Sequence, residues 1–143
     1  MSARRHAVLV TIAAATVALA AQGAYATGGG SNTGVAGFVY NTVTVGGVTF
    51  TGNCNYSMTS RVTIAGHATA MSATPVAATS ITCTVEHASP VPPTTVSSGW
   101  ISGPAAAVAS TGQLQIRGTA ICITMSALTA TGAVATSGQF CAS

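Results

Sequence analysis

Apolar and hydroxyl-bearing residues alternate along this chain with a period of two. Ile81, Cys83 and Val85 fall on one parity, and Thr82, Thr84 and Glu86 on the other. Only an extended strand sends successive side chains to opposite faces, so this pattern specifies half-buried β-strands. The alternating runs are short and are separated by Gly-Gly, Thr-Gly, Gly-Pro and Pro-Pro punctuation, which marks turns. About seven such runs predict an all-β chain, an antiparallel Ig-like sandwich.

Two hairpins can be placed in register from the sequence. Gly46-Gly47 suits a two-residue turn with positive φ at both positions. It sets Val45 opposite Val48, Val43 opposite Phe50 and Val39 opposite Cys54, with Asn41 against Gly52 as the one mismatch. The other parity pairs Thr44 with Thr49 and Thr42 with Thr51. Near the C-terminus, Thr131-Gly132 reads as a second two-residue turn, with Ala130 opposite Ala133 and Cys122 opposite Cys141. Its core face would carry Ile121, Ile123, Met125 and Ala127 against Val134, Thr136 and Phe140, with the cysteines outside. A bulge at Gly138 would shift that ladder.

Between the hairpins, Arg61 to Ala70 and Ala77 to His87 alternate, and Ser89 to Pro93 is a loop. Thr94 to Ser98 reads as an edge strand, and Gly99 to Pro104 as a turn holding Trp100. Ala105 to Ala109 has the composition of a short helical turn. Gln113 to Arg117 alternates again.

The N-terminus predicts export. Arg4 and Arg5 precede the apolar run Ala7 to Ala21, and Ala24-Tyr25-Ala26 fits small-residue cleavage before Thr27. The run is short for a membrane span of about 20 residues. The expected division is a signal peptide over 1–26, a flexible Gly-rich N-terminus over 27–34 and one sandwich domain over 35–143. The composition suggests a bacterial source, and the destination is the extracellular space or cell surface.

Four cysteines, Cys54, Cys83, Cys122 and Cys141, remain in the mature chain, with no C-x-x-C pair. An even count in a small exported chain predicts two disulfides. Three connectivities are open. The hairpin register favours Cys122–Cys141, which leaves Cys54–Cys83, both in phase with core residues.

Charged residues make up only 3% of the chain, and Glu86 is its one carboxylate. Paired-carboxylate hydrolysis and an Asp-dependent triad therefore have no residues to run on. Glu86 and His87 are strand neighbours and point to opposite faces. His67, His87 and Glu86 are the only residues that could be gathered into a metal site, and they show no ligand spacing. No enzymatic activity, metal or cofactor is expected, and there is no basic patch for nucleic acid. Asn55-Tyr56-Ser57 matches a glycosylation sequon. The candidate contact residues are Trp100 and the Thr42, Thr44, Thr49, Thr51 square, a hydroxyl array suited to ice or a repetitive polymer.

Ser80-Ile81-Thr82-Cys83-Thr84-Val85, the Gly103-Pro104-Ala105-Ala106 turn, Ala120 to Ala127 and the last cysteine, Cys141, carry a resemblance. On these residues the chain resembles a group of small, uncharacterised secreted actinobacterial β-sandwich proteins with four cysteines. The resemblance implies an exported sandwich and no assigned activity. Chromophore-binding apoproteins of the neocarzinostatin type are also secreted sandwiches with two disulfides, but with much shorter cysteine loops. Subtilisin-inhibitor-like proteins carry a Cys-Pro context that is missing here. The expected function is that of a non-enzymatic surface, matrix or binding protein, with a cell-envelope component as partner. The alternative is a carrier for an apolar small molecule, with Trp100, Phe140 and Met125 near its pocket.

Overall fold

The computed structural model describes residues 32–35, 37–57, 62–112 and 118–143. The expected signal segment, most of the Gly-rich N-terminus, Met58, Arg61 and the Gln113 to Arg117 run lie outside the described residues. Among the described residues there are ten strands: β1 (Asn32–Val35), β2 (Phe38–Val45), β3 (Val48–Ser57), β4 (Val62–Ser72), β5 (Val76–His87), β6 (Thr94–Ser97), β7 (Ile101–Ser102), β8 (Ala105–Gly112), β9 (Gly118–Thr129) and β10 (Val134–Ala142). One antiparallel sheet has the order β1-β2-β3-β4-β8. The second has the order β10-β9-β5-β6, with β7 also paired to β5. Among the described residues no helix is long and apolar enough to cross a membrane.

The connectivity is that of an immunoglobulin-like Greek key. The chain crosses between sheets after β4, β7 and β8, and β2-β3-β4-β8 faces β10-β9-β5-β6, with β2 lying over β10 and β9. An immunoglobulin constant domain has four strands in its first sheet, ABED. Here β3, β4 and β8 occupy A, B and E, and no described strand takes position D beyond β8. The strand number exceeds the expected seven because β1, β7 and β8 add to the runs read as strands from the sequence; β1 and β2 extend the first sheet on its other edge. The first three residues of β1 fall within the segment expected to be a flexible leader, and β1 pairs Gly34 with Val39.

The first hairpin has the register its sequence predicts, Val45 to Val48 through Val39 to Cys54. Gly46 and Gly47 have φ of 59° and 77°, as this two-residue turn requires. The last hairpin departs from expectation. Its turn spans three residues and closes with Thr129 N–H donating to the Ala133 carbonyl at 2.9 Å. The ladder next to the turn is therefore offset by one residue, pairing Leu128 with Val134 and Ser126 with Thr136. A bulge at Ser137-Gly138 removes that offset, so Cys141 again faces Cys122. Gly138 has φ 75°, and the Ser137 hydroxyl replaces the missing ladder contact. It accepts the Met125 N–H at 2.9 Å and donates to the Gly138 carbonyl at 2.7 Å. As a result Ala135 and Ser137, not Val134 and Thr136, face inward, and Val134 is 62% exposed.

Ala105 to Ala109 is not helical. It is the first part of β8, paired with β4 from Thr69–Ala105 onward. Alanine favours helix in isolation by a few tenths of a kcal/mol per residue relative to most others. That preference yields to a full ladder of backbone bonds and burial of Ala106 and Val108.

Phe50, Ile81, Ile121, Ile123 and Met125 fill the core and have no exposed surface. Two glycines in the first sheet shape it. A Cβ on Gly52 would lie 2.7 Å from both the His67 carbonyl and the Met125 sulfur. A Cβ on Gly66 would lie 2.5 Å from Cys83 Sγ and 2.9 Å from the Asn53 carbonyl. Side chains from the second sheet therefore sit where these side chains are missing. Packed sheets are ordinarily about 10 Å apart. The Cα atoms of Cys54 and Cys83, which face each other across the sheets, are only 5.8 Å apart.

Both expected disulfides are present, Cys54–Cys83 between the sheets and Cys122–Cys141 between β9 and β10. The three-residue turn places hydrogen-bonded pairs on Thr129 and alternate residues before the bulge. Beyond the bulge Cys122 and Cys141 form the narrow, non-hydrogen-bonded type of pair. Their Cα separation of 4.0 Å fits that spacing. Disulfides form and persist in an oxidising compartment.

Gly66→Ala should destabilise the fold by about 1–3 kcal/mol, because the nearest backbone oxygen has no room to move. Urea unfolding measures this, and an unchanged midpoint would contradict the close contact. Ser137→Ala should cost about 1–3 kcal/mol by stranding the buried Met125 N–H. Under mild reduction followed by alkylation, Cys122 and Cys141 should label first, since Cys141 is exposed while Cys54 and Cys83 have no accessible surface. Peptide mapping that finds Cys54 or Cys83 labelled first would contradict this order.

Candidate functional surface

The outer face of the first sheet gathers the Thr square into a larger array. Because strands alternate, Phe38, Tyr40, Thr42 and Thr44 share this face on β2. Thr49, Thr51, Asn53 and Asn55 share it on β3. The register then lines them up in rows. Thr42, Thr51, Thr69 and Ala105 form one row, and Tyr40, Asn53, His67 and Ala107 the next. Thr44 and Thr49 hydroxyls are 2.8 Å apart, and Thr42 Oγ1 donates to Thr51 Oγ1 at 3.3 Å. The Tyr40 hydroxyl lies 2.7 Å from Thr42 Oγ1, and Thr69 Oγ1 donates to the Thr51 carbonyl at 3.3 Å. These bonds fix the rotamers of the central hydroxyls. Phe38 is 37% and Met71 71% exposed at opposite ends of the array.

The four candidate threonines are thus together. Tyr40, Asn53, His67 and Thr69 were not among the candidate contact residues of the sequence. Tyr40 is set on the same face by parity alone. Asn53 stands opposite Tyr40 by the β2–β3 register, and only His67 and Thr69 depend on the β3–β4 register, for which no short turn motif exists in the sequence. A similar hydroxyl ladder covers the second sheet, which the sequence reading did not single out. Thr84 and Thr95 hydroxyls are 3.0 Å apart, Thr82 donates to Ser97 at 3.2 Å, and Ser126 and Thr136 are 2.6 Å apart.

Trp100 does not join the other candidates. It follows β6, is 52% exposed, and lies on the edge of the second sheet formed by β6 and β7. Phe140 is on β10, the opposite edge, with β9 and β5 between them. Met125 is fully buried and packs over Gly52. The three residues proposed for an apolar pocket therefore do not surround a common space.

The ionisable groups are equally dispersed. Glu86 is on the outer face of β5 and pairs with Ala120. His87 projects to the other face, where Nε2 lies 3.0 Å from Thr94 Oγ1 and Nδ1 is buried without a partner. His67 is exposed on the outer face of the other sheet. Two packed sheets separate His67 from Glu86, so one ion has no way to reach both. Asn55 of the sequon is exposed on the outer face of β3.

Compared with known proteins, the chain matches no family model, no curated protein and no solved structure.

Proposed function

We propose that the protein is an exported, non-enzymatic β-sandwich that acts by surface contact at the cell surface or in an extracellular matrix. Its contact surface is the outer face of the first sheet, and its partner is an uncharged, hydroxyl-bearing polymer. The observation that carries this reading is the ordered hydroxyl and carboxamide array of Thr42, Thr51, Thr69, Asn53 and Tyr40, which includes no charged side chain. Hydroxyls and amides both donate and accept, so they can exchange bonds with a neutral polyol without burying a charge. The aromatic rings of Phe38 and Tyr40 offer an apolar surface beside them.

Several features support the non-enzymatic reading. An activated nucleophile needs a base within hydrogen-bond reach, and a catalytic base is in turn commonly oriented by a third group. Glu86 faces an alanine on the neighbouring strand, and His87 is turned from it. Export is supported by the N-terminal sequence and by the two disulfides, and the resemblance to small secreted sandwiches points the same way. The carrier alternative is less favoured, since Met125 serves as core and Trp100 lies at the far edge from Phe140.

Sedimentation with insoluble neutral polysaccharides such as cellulose, chitin and β-glucan tests the reading. At least one should retain the mature protein. Thr51→Lys and Tyr40→Ala should each weaken retention by about fivefold or more, the equivalent of one lost hydrogen bond. Glu86→Gln should leave it unchanged. Equal retention of all variants, or none by any neutral polymer, overturns the proposal.

A further inference from the structure

The four sheet edges of the described chain are not equivalent. An exposed edge strand presents unpaired N–H and C=O groups, and folded proteins blunt it by shortness, a bulge, a proline or a charge. β1 has four residues, while β6 and β7 have four and two and are separated by residues 98–100. β10 carries the Ser137-Gly138 bulge. β8 has none of these devices. It is eight residues long, Ala105–Gly112, with no proline or charge, and its ladder to β4 runs without a shift from Thr69–Ala105 to Val62–Gly112.

The alternation of bonds identifies the free groups. Ala70 N–H donates to the Pro104 carbonyl at 2.8 Å. In an antiparallel ladder the even-numbered residues of β8 then bond to β4. The N–H and C=O of Ala105, Ala107, Ala109 and Thr111 point the other way. The side chains of Ala105, Ala107 and Ala109 are exposed. Their methyl groups leave a second backbone room to approach. This edge is where an immunoglobulin domain places strand D, antiparallel to its neighbour.

We infer that the β8 edge pairs with β8 of a second copy of this chain. The two strands would run antiparallel about a two-fold axis, joining the first sheets into one of ten strands. A two-fold contact requires a surface complementary to itself. An antiparallel strand with outward groups at every second residue meets that condition, and an uncharged edge brings no like charges together. The D position is filled by an identical strand, and the outer faces of both copies lie on the same side. This inference rests on the edge alone and is independent of the polymer reading.

The test uses the mature, disulfide-bonded protein. Sedimentation velocity over a concentration series should show a monomer–dimer equilibrium. Hydrogen exchange by NMR should show the Ala105, Ala107 and Ala109 amides open in dilute monomer and protected in the dimer. Ala107→Pro deletes one outward N–H per copy without touching the β4 ladder, and Ala107→Lys places two like charges near the axis. Each should weaken dimerisation by about tenfold or more. Gln139→Lys on β10 should not, and circular dichroism confirms that all variants are folded. Four results overturn the inference. These are a monomer at every concentration, a dimer that leaves these amides open, protection already complete in the monomer, or an unaffected Ala107→Lys dimer.

Discussion

The sandwich depends on how closely its two sheets meet at Gly52 and Gly66. Neither residue has a side chain, and the floor they leave is occupied from the other sheet by Met125 and by the Cys83 sulfur. Cys54 is the neighbour of Gly66 across the β3–β4 ladder, so the inter-sheet disulfide lies beside the gap. The bond and the glycine are two parts of one contact. Without the glycine, Cys83 has no room; without the cysteine, the floor would be left empty. A chain with so few charges has no network of ion pairs to supplement this contact. Its stability rests on apolar burial, backbone ladders and two covalent links, each link contributing roughly 3–4 kcal/mol by the loop-closure relation.

Much of this was legible because two independent patterns agreed. The Gly46-Gly47 turn and the Val/Thr alternation each imply the same register for β2 and β3, and a slip of one residue would have turned every valine to water. Cys83 between Ile81 and Val85 was legible as a core residue for the same reason. β8 was not, because it carries alanine on both faces and so shows no contrast between parities. There the ladder with β4 decides, and it is a long-range interaction that no local window contains. β1 was obscured similarly by Gly and Asn, which signal turns more strongly than strands.

The candidate surface was legible only in part. Thr42, Thr44, Thr49 and Thr51 follow from a single hairpin, and the structure keeps them together. Their extension to Thr69 and His67 needs a third strand, and the opposite hydroxyl ladder needs the pairing of β5 with β6. The apolar pocket failed as a set for a related reason. Trp100, Met125 and Phe140 group together by residue type, and residue type carries no information about strand order.

The C-terminal hairpin has a consequence for how this chain can change over time. Its turn displaces the ladder by one residue, and the Ser137-Gly138 bulge displaces it back. The two irregularities cancel only between the bulge and the chain terminus, where the second disulfide lies. A single insertion or deletion at either place would put Cys141 on the opposite face from Cys122. Two changes, one at each place, would restore the bond. Turn length and bulge are thus coupled characters, inherited or lost together, although residues 133–136 lie between the one and the other.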